Sequence, residues 1–267
     1  MISYLYGAVP DVIEAYQALP LNILKADFFR YLILLARGGV YADIDTTAIK
    51  PAMEWLADFE ASTVGLVIGI EADPERSDWH DWYSRRIQFC QWTIQSKPGH
   101  PVLRETVVNI TATTLKWKKA GKLNNFKQNV EDVIEFSGPA LWTDAIFGFF
   151  NNPKYYDRSR KSQDITWENF TKLRRPKQLG DVVVLPITSF SPGVGQMGAG
   201  EIDDPLAFVF HTFEGEVKTK AMDRRVLVAN FGIGSWKPES ERHIEPAADR
   251  EQRERESQKA AAEATQH

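Results

Sequence analysis

Residues 25–46 read KADFFRYLILLARGGVYADIDT, and this stretch decides the fold. Leu24, Phe28, Tyr31, Leu32, Ile33, Leu34 and Leu35 cover nearly the whole circumference of a helix running from about Asn22 to Arg37, so the spacing predicts a buried helix. Gly38 and Gly39 stop it. From Val40 to Asp45 the period is two: Val40, Ala42 and Ile44 face one way, Tyr41, Asp43 and Asp45 the other. A buried helix, a glycine break and a strand ending in paired carboxylates is α/β grammar, and open α/β sheets place their ligand crevice at such strand ends.

Two carboxylates converging there repel each other, and a divalent cation is the usual remedy. Hard oxygen ligands favour manganese or magnesium. The buried helix also carries Asp27 and Arg30, which share a face at i,i+3. A buried ion pair gains little over apolar residues of equal volume. Two readings follow: a salt bridge that orients the helix, or a pair that hydrogen-bonds the hydroxyls of a bound sugar.

Outward from this stretch the same grammar continues. Val12, Ile13, Tyr16 and Leu19 recur at helical spacing after Pro10 and Asp11. Val64 to Ile70 is a continuous apolar run of the kind buried in parallel sheets. Pro101 opens an amphipathic helix with Leu103, Val107, Ile110, Thr114 and Trp117 on one face, ending near Gly121, and another helix follows Ser137, Gly138 and Pro139. Strands are expected at Val182 to Leu185 and at Leu206 to Phe210, separated by a glycine-rich loop from Gly193 to Gly200. Gly193, Gly195 and Gly198 spell a dinucleotide-type fingerprint, but the acidic, proline-interrupted sequence after it does not open a helix, so that reading is rejected.

With 267 residues, 43% of them hydrophobic, the chain can bury one substantial core. A formal net charge of −4, with no Lys- or Arg-rich run that forms a phosphate-binding stripe, sets nucleic acid aside. Cys90 is the only cysteine, so neither a disulfide framework nor a cysteine metal site is possible. No apolar run is long enough to cross a membrane, so the chain as written reads as soluble. From Lys237 to His267 Glu, Arg, Gln and Ala dominate, which predicts a disordered tail or a lone solvated helix after a catalytic domain at 1–236.

The stretch Lys25 to Thr46 resembles the DXD-containing sugar-binding region of glycosyltransferase family 32. Gly65 to Asp73, Gln88 to Pro101 and Ser189 to Gly198 look like the fungal α-1,6-mannosyltransferases within that family. The resemblance implies a GT-A-like nucleotide-diphospho-sugar transferase fold, lacking here the amino-terminal strand, cytosolic tail and membrane anchor with which family members begin. It implies a retaining enzyme that uses manganese or magnesium to transfer mannose from GDP-mannose to an N-linked glycan, initiating the outer chain in the Golgi lumen as a type II membrane protein. Alternatives within its reach are an inositol phosphoceramide acceptor, or an inactive truncated module of a mannosyltransferase complex. By the resemblance Asp27, Arg30, Tyr41 and Trp236 bind the donor sugar, while Asp43 and Asp45 form the catalytic metal pair with His211 as a further ligand.

The family pattern spaces that histidine four residues from a Ser-Trp pair, here Ser235 and Trp236. A long insert intervenes, and deleting Glu216 to Gly234 restores the spacing, so that span reads as a retained intron. For the acceptor, Glu71 and Asp73 are either binding residues or surface-turn residues. Trp142 and Asp144 are either acceptor contacts or, respectively, a core tryptophan and a first-turn aspartate. Two sequons, at Asn109 and Asn169, are compatible with a luminal protein.

Overall fold

The computed structural model describes residues 1–126, 130–156 and 163–211; all of these belong to one compact unit, Met1–His211. Helices α1 (Ile2–Leu5), α2 (Pro10–Ala18) and α3 (Asn22–Arg37) come first, followed by strands β1 (Gly39–Ala42), β2 (Thr46–Ala48), β3 (Leu66–Ala72), β4 (Gln88–Phe89) and β5 (Thr93–Ser96). Then come α4 (Pro101–Lys119), α5 (Val130–Phe136), α6 (Pro139–Phe150), β6 (Lys177–Leu179), β7 (Val182–Leu185), α7 (Ile187–Phe190) and β8 (Val209–His211). The main sheet is mixed, in the order β1-β5-β3-β7-β6 with β4 pairing β3, and its one parallel pair is β3 with β7.

Helix α3 ends as its sequence requires. The Gly38 amide donates back to the Leu34 carbonyl at 2.8 Å with φ at 65°, and a Cβ there would stand 2.7 Å from Pro98. Glycine alone suits both the left-handed backbone and the close approach. Leu24, Phe28, Tyr31, Leu32 and Leu34 are fully buried, and α4 packs against both α2 and α3. The opposite side of the sheet carries a second apolar layer built on Val67, Val183, Leu185, Trp55, Phe190 and Phe208. Burial pushes the Cys90 thiol, inside this layer, well above its ordinary range.

Two expectations need correction. The strand expected from Val40 to Asp45 stops at Ala42, and it is an edge strand that pairs only with β5 among the described residues. Its apolar side therefore faces outward: Val40 is 46% exposed and Ile44 86%. The chain turns because the Thr46 amide and hydroxyl both donate to the Asp43 carbonyl, at 3.1 and 2.6 Å. Similarly, Leu206 to Phe210 begins as a turn in which the Asp204 carboxylate accepts the Leu206 amide at 2.7 Å, and only Val209–His211 is strand. Ser235, Trp236, the span 216–234 and the tail 237–267 lie outside the described residues. Among the described residues no helix is long and apolar enough to cross a membrane.

Candidate active site

Helix α3 and strand β1 meet at Arg30. Its Nη2 lies 3.0 Å from Asp27 Oδ1 and 3.2 Å from Asp43 Oδ1, so one guanidinium nitrogen links the helix to the first carboxylate of the D-x-D triplet. Asp27 and Arg30 are only 1% and 3% exposed. As the side chains lie, neither presents surface to a ligand, and the pair braces Asp43 from beneath. The Asp43 carboxylate also accepts the Tyr41 hydroxyl at 2.7 Å, and the Arg30 guanidinium sits over the Tyr41 ring at 5.3 Å. The Asp43 amide donates to the Trp92 carbonyl at 2.9 Å, fixing the turn against the end of β5.

A second layer of polar groups holds Asp27. Ser137 donates to its Oδ2 at 2.8 Å, Gln91 donates to Oδ1 at 3.4 Å, and Tyr31 donates to the Gln91 amide oxygen at 2.6 Å. Burial pushes the Asp27 carboxyl up to about 6, against the pull of Arg30 and Ser137. Burial likewise raises the Tyr41 phenol to about 12, so it stays protonated and donates to Asp43. Sequence reasoning missed Tyr31, Gln91 and Ser137 as part of this cluster. Their signals lay in the apolar face of α3, in the QFCQW segment and just before α6, where each reads as ordinary core or capping chemistry.

Asp45 is half-buried in the turn between β1 and β2. Strand β2 pairs antiparallel with β8 so that Thr46 stands opposite His211. The backbone register thus brings His211 beside Asp45, though its side chain lies outside the described atoms. Two carboxylates and an imidazole are an acceptable donor set for magnesium or manganese. The described residues contain no preassembled cluster of three or more such ligands.

The four acceptor candidates are held by different partners. Trp142 is a core residue: fully buried, it stacks on Tyr31 at 5.3 Å between ring centres, and its Nε1 donates to the Cys90 carbonyl at 3.0 Å. Asp144 lies in the second turn of α6 rather than the first, and takes both ends of the Arg85 guanidinium at 2.8 and 2.6 Å. Asp73 is buried rather than a surface-turn residue: it accepts from Arg86 at 2.7 Å, the Thr171 hydroxyl at 3.0 Å and the Lys172 amide at 2.6 Å. Glu71 is half-buried and accepts from Gln88 at 3.1 Å. Asn169 uses its side-chain oxygen to cap the Thr166 amide at 2.8 Å.

Residues 1–61 match the family described as "Glycosyltransferase sugar-binding region containing DXD motif". The chain is 50% identical to an initiation-specific α-1,6-mannosyltransferase of Candida albicans, over 83% of the chain and 61% of that protein. A protein of the same name from Schizosaccharomyces pombe is 47% identical over 79% of the chain and 51% of the relative. The one from Saccharomyces cerevisiae is 37% identical over 82% of the chain and 68% of the relative. The chain therefore spans between about half and two thirds of the length of these relatives. With the D-x-D turn and its arginine brace inside the matched region, the chain belongs to the DXD-containing glycosyltransferase family of the initiation-specific α-1,6-mannosyltransferases.

Proposed function

We propose that this chain carries the catalytic region of a GT-A-type, metal-dependent retaining mannosyltransferase. It transfers mannose from GDP-mannose to an N-linked glycan in α-1,6 linkage, beginning the outer chain, in the Golgi lumen. The observation that carries the reading is the bridge that Arg30 Nη2 makes between Asp27 and Asp43, which ties the D-x-D turn to a buried helix and fixes its first carboxylate.

Asp43, Asp45 and His211 would hold manganese or magnesium, whose chemistry is to neutralise charge on the departing diphosphate. Tyr41, hydrogen-bonded to Asp43, keeps that carboxylate aimed toward the donor. Asp27 and Arg30 act through Asp43, holding its carboxylate in place, while Tyr41 and Trp236 are the residues assigned to the donor sugar. An acceptor hydroxyl then attacks the anomeric carbon on the face GDP leaves. The bond to the diphosphate oxygen breaks as the new glycosidic bond forms, the hydroxyl proton passes to the departing diphosphate, and the α configuration is kept.

The test is turnover of GDP-mannose, by hydrolysis and by transfer to a high-mannose oligosaccharide, with manganese and with EDTA. Turnover that EDTA abolishes and manganese restores is expected. Turnover indifferent to EDTA, or none with manganese present, sinks the reading.

A further inference from the structure

Strands β1 and β3 both run antiparallel to β5, so their carboxyl ends lie at the same edge of the sheet. Ser96 stands opposite both Gly39 and Leu66, so the two strands start level on either side of β5. Two strand spacings, about 10 Å, separate them. Whatever follows β3 therefore leaves from the same end of the sheet as the D-x-D turn.

A closed surface loop follows β3. Residues 74–85 leave and return through a base made by the buried Asp73–Arg86 ion pair at 2.7 Å and by the pairing of Ala72 with Gln88. The return limb is pinned again where Arg85 grips Glu135 and Asp144. Loops of this kind, compact and closed at the base, are frequently functional. At the tip a short helical turn, Trp79–Asp81, presents Trp82 to solvent at 65% exposure. The ring is not loose. The Arg76 guanidinium lies 4.6 Å from its centre and is itself clamped by two hydrogen bonds to Asp78, at 2.5 and 2.6 Å. The indole is thus backed by a hydrogen-bonded cation while most of its surface stays open to solvent.

We propose that this loop is an acceptor subsite in which Trp82 is the platform for a mannose residue of the acceptor glycan. The proposal rests on the mannosyltransferase reading above and extends it to a residue outside the donor site. A pyranose ring offers an apolar C–H face that stacks on an indole, as apolar bodies with polar rims do on aromatic side chains. Its hydroxyls need hydrogen-bond partners, and exposed His80 and Asp81, 3.4 Å apart and next to Trp82 in the sequence, offer polar groups on the same loop tip. Glu75, Asp78 and Asp81 are nearly balanced by Arg76 and Arg85, so the loop carries little net charge, which suits a neutral polyhydroxylic ligand. The loop's closed base keeps the platform in place before the ligand arrives, which lowers the ordering cost of binding.

The experiment is a titration of the full chain with a high-mannose oligosaccharide, without donor, following the indole N–H signals by NMR, for the unaltered protein, Trp82→Ala and Trp82→Phe. The Trp82 signal is expected to shift on titration. Dissociation constants should rise roughly tenfold in Trp82→Ala and return most of the way in Trp82→Phe. Thermal melting of each variant shows that an exposed side chain was exchanged without unfolding. Equal affinity in Trp82→Ala overturns the proposal, and so does a Trp82 signal that responds only to a partner protein. Binding of GDP-mannose with manganese to the unaltered chain is measured alongside: if it binds and the oligosaccharide leaves Trp82 unmoved, the subsite alone fails, whereas absent donor binding fails the mannosyltransferase reading itself.

Discussion

Replacing Arg30 by methionine keeps an unbranched apolar stem and removes the cation that touches Asp27 at 3.0 Å. Asp27 is 1% exposed, so its charge cannot turn to water. Breaking a buried pair from one side costs about 3–5 kcal/mol near neutral pH. The cost depends on pH in a direction the structure fixes. Burial has already raised the Asp27 carboxyl from its ordinary 3.8 to about 6, although Arg30 pulls it down. The folded chain therefore holds a proton that the unfolded chain releases. That preference is fully present below about pH 4 and is lost as pH rises through about 6, and the displacement corresponds to about 3 kcal/mol. In Arg30→Met the downward pull is gone, the folded value rises further, and the decline continues to higher pH. Urea unfolding followed by tryptophan fluorescence at about pH 5 and about pH 8 measures both curves. The stability gap between parent and variant should widen by about 1 kcal/mol or more between those conditions. A gap that stays the same at both, or a variant as stable as the parent at about pH 8, refutes the reasoning.

Asp45→Ala should leave melting close to the parent while metal-dependent GDP-mannose turnover falls roughly a hundredfold or more, because one hard ligand is lost; equal turnover removes Asp45 from the metal site. Gly38→Ala forces an L-residue into φ 65° and its methyl against Pro98 at 2.7 Å, so stability should drop by more than about 1 kcal/mol, read as a lower urea midpoint. Asp73→Ala leaves the half-buried Arg86 without its carboxylate and the Lys172 amide without its acceptor, and should lower stability by about 2–4 kcal/mol while hydrogen exchange quickens across 74–86. Ser137→Ala removes one hydrogen bond to a buried carboxylate and should cost about 1.5–3 kcal/mol above about pH 6, where Asp27 is ionised, and less below it.

Helix α3 was legible to its exact ends because its signals are local: an all-round apolar surface and a double glycine stop. The same holds for β7, which coincides with the expected Val182 to Leu185, and for the start of α4 at Pro101. The strand bearing the aspartates was read too long because alternation of side chains continues through Asp45, while the turn that interrupts it depends on Thr46 reaching back to the Asp43 carbonyl. Its edge position was also illegible, since which strand neighbours which is a long-range fact. The Asp27–Arg30 pair was visible as an oddity in a buried helix. That Arg30 also reaches Asp43 depends on how the chain turns back after Gly38, and that Ser137 closes the far side of Asp27 joins residues 110 positions apart, which no spacing rule within one segment can supply. Trp142 and Asp144 looked alike on paper as neighbours of a helix start, yet one turns into the core against Tyr31 and the other out to Arg85.

The burial of Cys90 has a practical consequence. It is the sole thiol of the chain, fully enclosed, and its deprotonation is strongly disfavoured, so alkylating reagents that require a thiolate will pass it by in the native protein. A cysteine placed at exposed Ser77 would then be the single labelling point, without any need to engineer the native one away. A fluorophore or spin label attached there would sit on the Trp82 loop and report its approach to nucleotide and glycan in a background free of other signals.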